Sequence, residues 1–224
     1  MTDRPDTAAP EPGGGGVFDA AFVARFEELL AWRRDVRRFR TDPLPDGLLE
    51  RLLQAAHLAP SVGNSQPWRF VTVEDAARRE AVRASFRRAN QEALASYSGE
   101  SARLYATLKL EGLTDAPVQL AVFCDEETGQ GAGLGRRSMP EMLAYSCVCA
   151  VNTLWLAARA QGVGLGWVSI LEPERVTSAL DVPASWRLIA YLCLGYPAEE
   201  HLDPELERAG WQRRSGLDVR WLHR

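Results

Sequence analysis

At 224 residues, with 46% hydrophobic and 25% charged side chains, the sequence has the length and balance of one globular core and is neither fibrous nor wholly disordered. A formal net charge of −4, with no basic run interleaved with aromatics, argues against a nucleic-acid partner. Of the 26 basic residues 25 are arginine and one is Lys109, so a single arginine carries little information by itself.

Residues 1–17 are rich in Pro, Gly, Ala and Asp, which predicts a disordered tail and neither a leader peptide nor an anchor. One domain is expected from there to residue 224. Asp19 is a fitting cap for a helix reaching about Trp32, with Phe22, Phe26, Leu29 and Leu30 at helical spacing. A second helix starts near Asp46, carries Leu48, Leu49, Leu52, Leu53 and Ala56, and stops before Pro60. Ser61 to Pro67 follows as a tight loop, and Arg69 to Val73 as a short strand. Residues 75–110 form a helical stretch too polar for a central core. Val118 to Cys124 is a buried strand and residues 126–137 a glycine-containing loop. Met139 to Gln161 is the most apolar helix, expected to be buried on all sides and shared with a partner subunit. Strands at Gly164 to Leu171 and Arg187 to Gly195 flank a helix from Pro173 to Leu180. The tail from residue 201, with Trp211 and Trp221, is expected to wrap over another surface. Regular β-α-β units are too few for a doubly wound sheet, which leaves a mixed α/β arrangement.

Cys124, Cys147, Cys149 and Cys193 lie in apolar stretches without C-x-x-C spacing and are expected to be buried free thiols. No run reaches the roughly 20 apolar residues that span a bilayer, so a cytoplasmic protein is expected. Neither Gly131, Gly133, Gly135 nor Gly162, Gly164, Gly166 has dinucleotide spacing in a strand-to-helix turn; they read as a flexible turn and a helix end. With no G-x-S-x-G elbow, no H-E-x-x-H pair and three histidines, hydrolase and metal chemistry lack their residues, which points to an organic cofactor and no metal.

Arg33, Arg34, Arg37 and Arg38 gather four guanidinium groups around Asp35 and Val36, and arginine forks suit the oxygens of a dianionic phosphate. A solvated basic face is the commoner meaning of such a run. The stretch Pro60-Ser61-Val62-Gly63-Asn64-Ser65-Gln66-Pro67-Trp68 combines small residues, which permit close backbone approach, with amides that pair donors and acceptors. A flat heteroaromatic edge needs that mixture, although alone the stretch reads equally as a proline-bounded loop. Together the two stretches resemble the nitroreductase-like flavoprotein family, whose R-R-S-x-R segment and P-S-x-x-N-x-Q-P-W loop contact the flavin; here Asp35 replaces the serine. The likeness runs from about Phe18 to Arg214. It is nearest to the flavin-consuming branch that makes 5,6-dimethylbenzimidazole, the lower ligand of vitamin B12. That part rests on Lys109-Leu110-Glu111-Gly112-Leu113, Gly135-Arg136 with Met139 to Met142, Gly166 to Leu171, and Pro204 to Arg208 with Gly210-Trp211.

The resemblance implies a nitroreductase-like α+β fold: a central, mixed but mostly antiparallel sheet flanked by helices, with residues 75–110 as a lid and 201–224 as a C-terminal arm. It implies homodimers with flavin at the interface. Reduced flavin mononucleotide (FMN) would be substrate, supplied by a separate flavin reductase and split with dioxygen into dimethylbenzimidazole and erythrose 4-phosphate. By likeness, Arg33, Arg34, Asp35, Val36, Arg37 and Arg213 meet the phosphate, ribityl chain or ring edge. Ser61, Gly63, Asn64 and Gln66 meet the ring, and Ser169 and Leu171 its opposite edge. Asp35 is nominated as the base near the ribityl chain with Ser169 as its hydrogen-bond partner, although a carboxylate among guanidinium groups is expected to be a weak one. The alternatives are an NAD(P)H-dependent nitroreductase or flavin reductase that retains FMN, which Asp35 and the lid disfavour, and a non-catalytic flavin carrier.

Overall fold

Local sequence signals set most element boundaries in the computed structural model, which describes residues 18–217 and 220; the tail expected over residues 1–17 and Trp221 lie outside them. Asp19 caps α1 (Ala20–Trp32) by accepting the Phe22 N–H at 2.7 Å. α2 (Leu48–His57) buries Leu48, Leu52 and Ala56 along one stripe. The loop after it holds a 3-10 turn, Val62–Asn64, and feeds β1 (Trp68–Thr72). The polar stretch is two helices, α3 (Ala76–Ala95) and α4 (Gly99–Thr107). The rest of the order is β2 (Val118–Asp125), α5 (Met142–Ala160), β3 (Gly164–Val168), α6 (Pro173–Leu180), β4 (Trp186–Gly195) and α7 (Glu205–Arg208). β3 is shorter than its sequence suggests, because the Leu171 N–H folds back onto the Ser169 carbonyl at 3.0 Å and starts the turn into Pro173.

The sheet runs β1-β2-β4-β3 with every strand pairing antiparallel. Among the described residues its one parallel element is an isolated bridge that Asp35 makes to Leu165, on the free edge of β3. Period-two alternation sends Leu120, Val122 and Cys124 of β2, with Ala190, Leu192 and Leu194 of β4, into a core shared with α2 and α5. Ala121, Phe123, Tyr191 and Cys193 point the other way, onto Val82 of α3 and Val176 and Leu180 of α6. Helices therefore cover both faces. The first half of the expected lid is pinned to this second layer: Val82 and Ser85 are buried, Arg79 donates to the Val73 carbonyl at 2.7 Å, and Arg88 pairs with Glu172.

Two expectations about burial fail within a single chain. α5 buries Leu143, Cys147, Ala150, Val151, Leu154 and Ala158, yet Tyr145, Val148 and Cys149 are exposed, because a helix lying on one sheet face can bury only the stripe that touches it. Cys149 thus departs from the buried thiols Cys124, Cys147 and Cys193. α1 buries no residue, and Phe22, Phe26 and Leu30 stand exposed. α5 is also the one helix among the described residues long and apolar enough to cross a bilayer, and its buried stripe accounts for much of that apolarity.

Gly162, at φ 72°, does end α5, but Gly164 and Gly166 have a different purpose from the expected helix end. The segment from Arg33 to Phe39 lies directly on β3, with the Val36 N–H donating to the Leu165 carbonyl at 3.0 Å. A Cβ on Gly166 would stand 2.1 Å from the Val36 carbonyl oxygen, and one on Gly164 2.8 Å from Val36 Cγ2. Backbone yields less readily than a side-chain rotamer, so Gly166→Ala is expected to cost roughly 3 kcal/mol of stability. Denaturant unfolding reads this directly, and an unchanged midpoint would show that the segment is not held against β3.

Candidate active site

The segment after α1 is extended because the sheet edge and the arm satisfy its backbone: beyond Val36, the Arg40 N–H donates to the Tyr196 carbonyl and the Ala198 N–H to the Arg38 carbonyl. This fixes Asp35, whose Oδ1 accepts the Trp167 N–H and whose Oδ2 accepts the Arg37 Nε–H, each at 2.9 Å. Asp35 and Ser169 share no hydrogen bond among the described residues, and the Asp35 oxygens are held by the Trp167 amide and Arg37 instead. The carboxyl group, 32% exposed, lines a cleft with Arg34, Trp155 and Leu165, so it is neither sealed in the core nor turned to bulk solvent. Ser169 is exposed two residues beyond Trp167, its hydroxyl unbonded among the described residues, and Leu171 is half-buried.

The four arginines have different duties. Arg38 pairs with Glu199 at 3.0 Å and Glu205 at 2.8 Å, and Arg37 braces Asp35 against the Lys109 carbonyl, 3.0 Å from its Nη1. Arg34 donates from Nε and Nη2 to the Leu202 carbonyl and from Nη1 to the Arg33 carbonyl, which leaves two of its five donors. Arg33 stacks over Trp155 at 4.9 Å and its guanidinium has no hydrogen bond among the described residues. Burial, then Arg33, then Arg214, pull Arg34 below the usual arginine pKa, with Asp203 opposing them. Arg213 and Arg214 of the arm are both exposed, and Arg34 feels the charge of Arg214.

The amide-bearing loop is also built from within. Ser61 Oγ accepts the Gln66 N–H at 3.1 Å, and the Val62 N–H donates to Ser146 Oγ at 3.0 Å. Gly63, Asn64 and Gln66 take left-handed backbone at φ 57°, 52° and 42°. Gln130 Nε2 holds the strained residues by donating to the Asn64 carbonyl and to Gln66 Oε1, each at 2.8 Å. The glycine series after it is a cradle for this loop: a Cβ on Gly131 would stand 2.7 Å from the Gly63 carbonyl oxygen. The Asn64 side chain is exposed and unbonded among the described residues, an amide available to a ligand. Sequence reasoning misses Gln130 and Trp155, and neither has a local signal that could have found it.

One chain does not bring the two stretches together. The loop enters β1 at one sheet edge, while Asp35 bridges to β3 at the other; four strand spacings separate them, about 19 Å. They also lie off opposite ends of the strands, since Trp68 aligns through Cys124 with Arg187, and Leu165 aligns with Leu194. The Asp35 cleft and the depression beside Gln66, lined by His57, Trp68 and Gln130, share no residue. Each corner fits its share of a phosphorylated flat ring, the arginines for phosphate and the glycine-flanked amides for a ring edge.

Residues 30–196 match the Nitroreductase family. The 5,6-dimethylbenzimidazole synthase of Rhodospirillum rubrum is 59% identical over 200 residues, 89% of this chain and 95% of that relative. One of the same name from Rhodobacter capsulatus is 48% identical over 197 residues, 88% of this chain and 94% of the relative. The structure of oxidised iodotyrosine deiodinase bound to FMN and 3-iodo-L-tyrosine matches with a TM-score of 0.66 at 27% identity, over 79% of this chain and 91% of that one. With the antiparallel sheet and its two helical layers, these matches show that the chain belongs to the nitroreductase family of enzymes, among relatives that are 5,6-dimethylbenzimidazole synthases.

Proposed function

We propose that two copies of this protein bind reduced FMN between them and, with dioxygen, fragment it to 5,6-dimethylbenzimidazole, erythrose 4-phosphate and an oxidised pyrimidine that carries the remaining four carbons and two nitrogens of the ring system. Kinship with named synthases supports a role in making the lower ligand of vitamin B12. The observation that carries the finer reading is Asp35, held by the Trp167 amide and Arg37 in a cleft that Arg34 also lines. Reduced flavin, as substrate, supplies both the electrons that dioxygen takes and the carbon skeleton of the product.

In this reading Arg33 and Arg214 bind the phosphate directly, and Arg34 adds charge while tying the arm to the site. Asn64 and Gln66 of the second copy orient the ring edge, which unites two corners that one chain keeps apart. Asp35 then sits on the phosphate side of the ring, where it takes a proton from the ribityl chain once Oδ2 is released from Arg37; the free Ser169 hydroxyl steadies the same edge. α4 and its flanks shield the site from water and from a nicotinamide, a task the pinned α3 cannot perform by moving. A separate reductase, in the cytoplasm, would supply the reduced flavin.

Protein mixed anaerobically with excess reduced FMN and then opened to air is expected to yield dimethylbenzimidazole on chromatography. Flavin recovered intact would end the proposal, and steady NADH oxidation by the protein alone would point to a retained flavin instead.

A further inference from the structure

Gln119 is out of keeping with its strand. It lies wholly buried near the start of β2, on the same sheet face as Ala121 and Phe123, where alternation calls for an apolar side chain. An amide removed from water costs free energy unless it is bonded, so its partners show what it is for. Nε2 donates to the Leu113 carbonyl at 2.7 Å, and Oε1 accepts the hydroxyl of Tyr191, a wholly buried residue of β4, at 2.7 Å. A carbonyl can only accept, so the NH2 end must face Leu113, and the tyrosine holds the other end in place.

Leu113 belongs to the turn between α4 and β2, which is closed on itself. Lys109 Nζ pairs with Asp115 at 3.3 Å, and the Ala116 N–H donates to the Gly112 carbonyl at 3.1 Å. The turn lies flush on the arginine segment, since a Cβ on Gly112 would overlap the Phe39 ring. Its Lys109 carbonyl accepts Arg37 Nη1 at 3.0 Å, while Arg37 Nε meets Asp35 at 2.9 Å. An unbroken run of contacts therefore joins the centre of the sheet to the candidate base.

We infer that Gln119 is a positioning residue for Asp35. By anchoring Leu113 it fixes the turn, and with it the Lys109 carbonyl that draws one side of the Arg37 guanidinium away from the carboxylate. Without that anchor Arg37 can turn and grip Asp35 with two parallel N–H donors, a stronger pairing that does not release Oδ2 for proton transfer. This inference rests on the reading of Asp35 as the base in FMN fragmentation.

The whole protein, in excess over reduced FMN, is loaded without oxygen and opened to air, so that a single turnover is timed; anaerobic titration gives the flavin affinity. Gln119→Met keeps the bulk of the side chain and removes its amide. It is expected to slow dimethylbenzimidazole formation roughly tenfold, the scale of a small misplacement at a reacting group, with reduced FMN bound as tightly as before. Arg37→Lys cuts the same path at its other end, and in that background Gln119→Met should change the rate by less than about twofold, whereas independent losses multiply. Tyr191→Phe leaves the Leu113 bond but loosens the amide, and carries the same test if Gln119→Met does not fold: a slower turnover at unchanged affinity. An unchanged rate, an equal fall in flavin affinity, or effects that multiply with Arg37→Lys overturn the role of Gln119. Unaltered protein that yields no dimethylbenzimidazole refutes the reading of Asp35 itself, a result that involves no variant.

Discussion

Asp35→Asn is expected to lower the dimethylbenzimidazole yield at least about a hundredfold while reduced FMN still binds, the usual scale for loss of a general base. The substitution keeps the size of the side chain. Its carbonyl oxygen can still accept the Trp167 N–H, as Oδ1 now does at 2.9 Å, so the segment stays on β3. The change falls on the other oxygen, where an amide NH2 would face the Arg37 Nε–H donor. Arg37 keeps its bond to the Lys109 carbonyl, which limits its displacement. Removing the charge beside a guanidinium only 12% exposed costs some stability, so an unfolding curve accompanies the assay. A yield equal to that of the unaltered protein would reduce Asp35 to a brace between the arginine segment and the sheet.

The second large effect is expected from mixing two inactive proteins. Asp35→Asn damages the arginine corner, and Asn64→Ala combined with Gln66→Ala damages the amide corner. If each complete site takes one corner from each copy, a mixed dimer contains one intact site and one doubly damaged site. Random pairing of equal amounts then restores about a quarter of the full yield, although neither protein alone gives product. Mixed dimers that form but stay inactive would show that the corners do not meet across subunits, and that a flavin site must be sought within one chain.

How much of this was legible in sequence depended on how local the cause was. The Asp19 cap, the Pro173 start of α6 and the alternation of β2 are set by neighbours a few residues away, and they stand where the sequence indicates. The two candidate stretches stood out in the sequence through their resemblance to the family's flavin-contacting motifs, since arginine and amide content alone reads equally well as a solvated face and a proline-bounded loop. Their partners were not readable. Gln130 sits in a glycine loop with no periodicity, and it matters because it reaches 64 residues back to Gln66. Gly164 and Gly166 looked like a helix end because nothing in sequence says that the Arg33–Phe39 segment will lie on top of them. Likewise composition made α5 apolar all round, while only topology decides which stripe meets the sheet and leaves Tyr145, Val148 and Cys149 outside.

The diagonal placement of the two corners on one sheet bears on how such a protein is handled by the cell that makes it. On the proposed reading the protein would destroy a vital coenzyme, a hazard if every newly made molecule were competent. If each site takes one corner from each copy, competence would rise with the square of the protein's abundance at low levels, and dilution alone would disarm it.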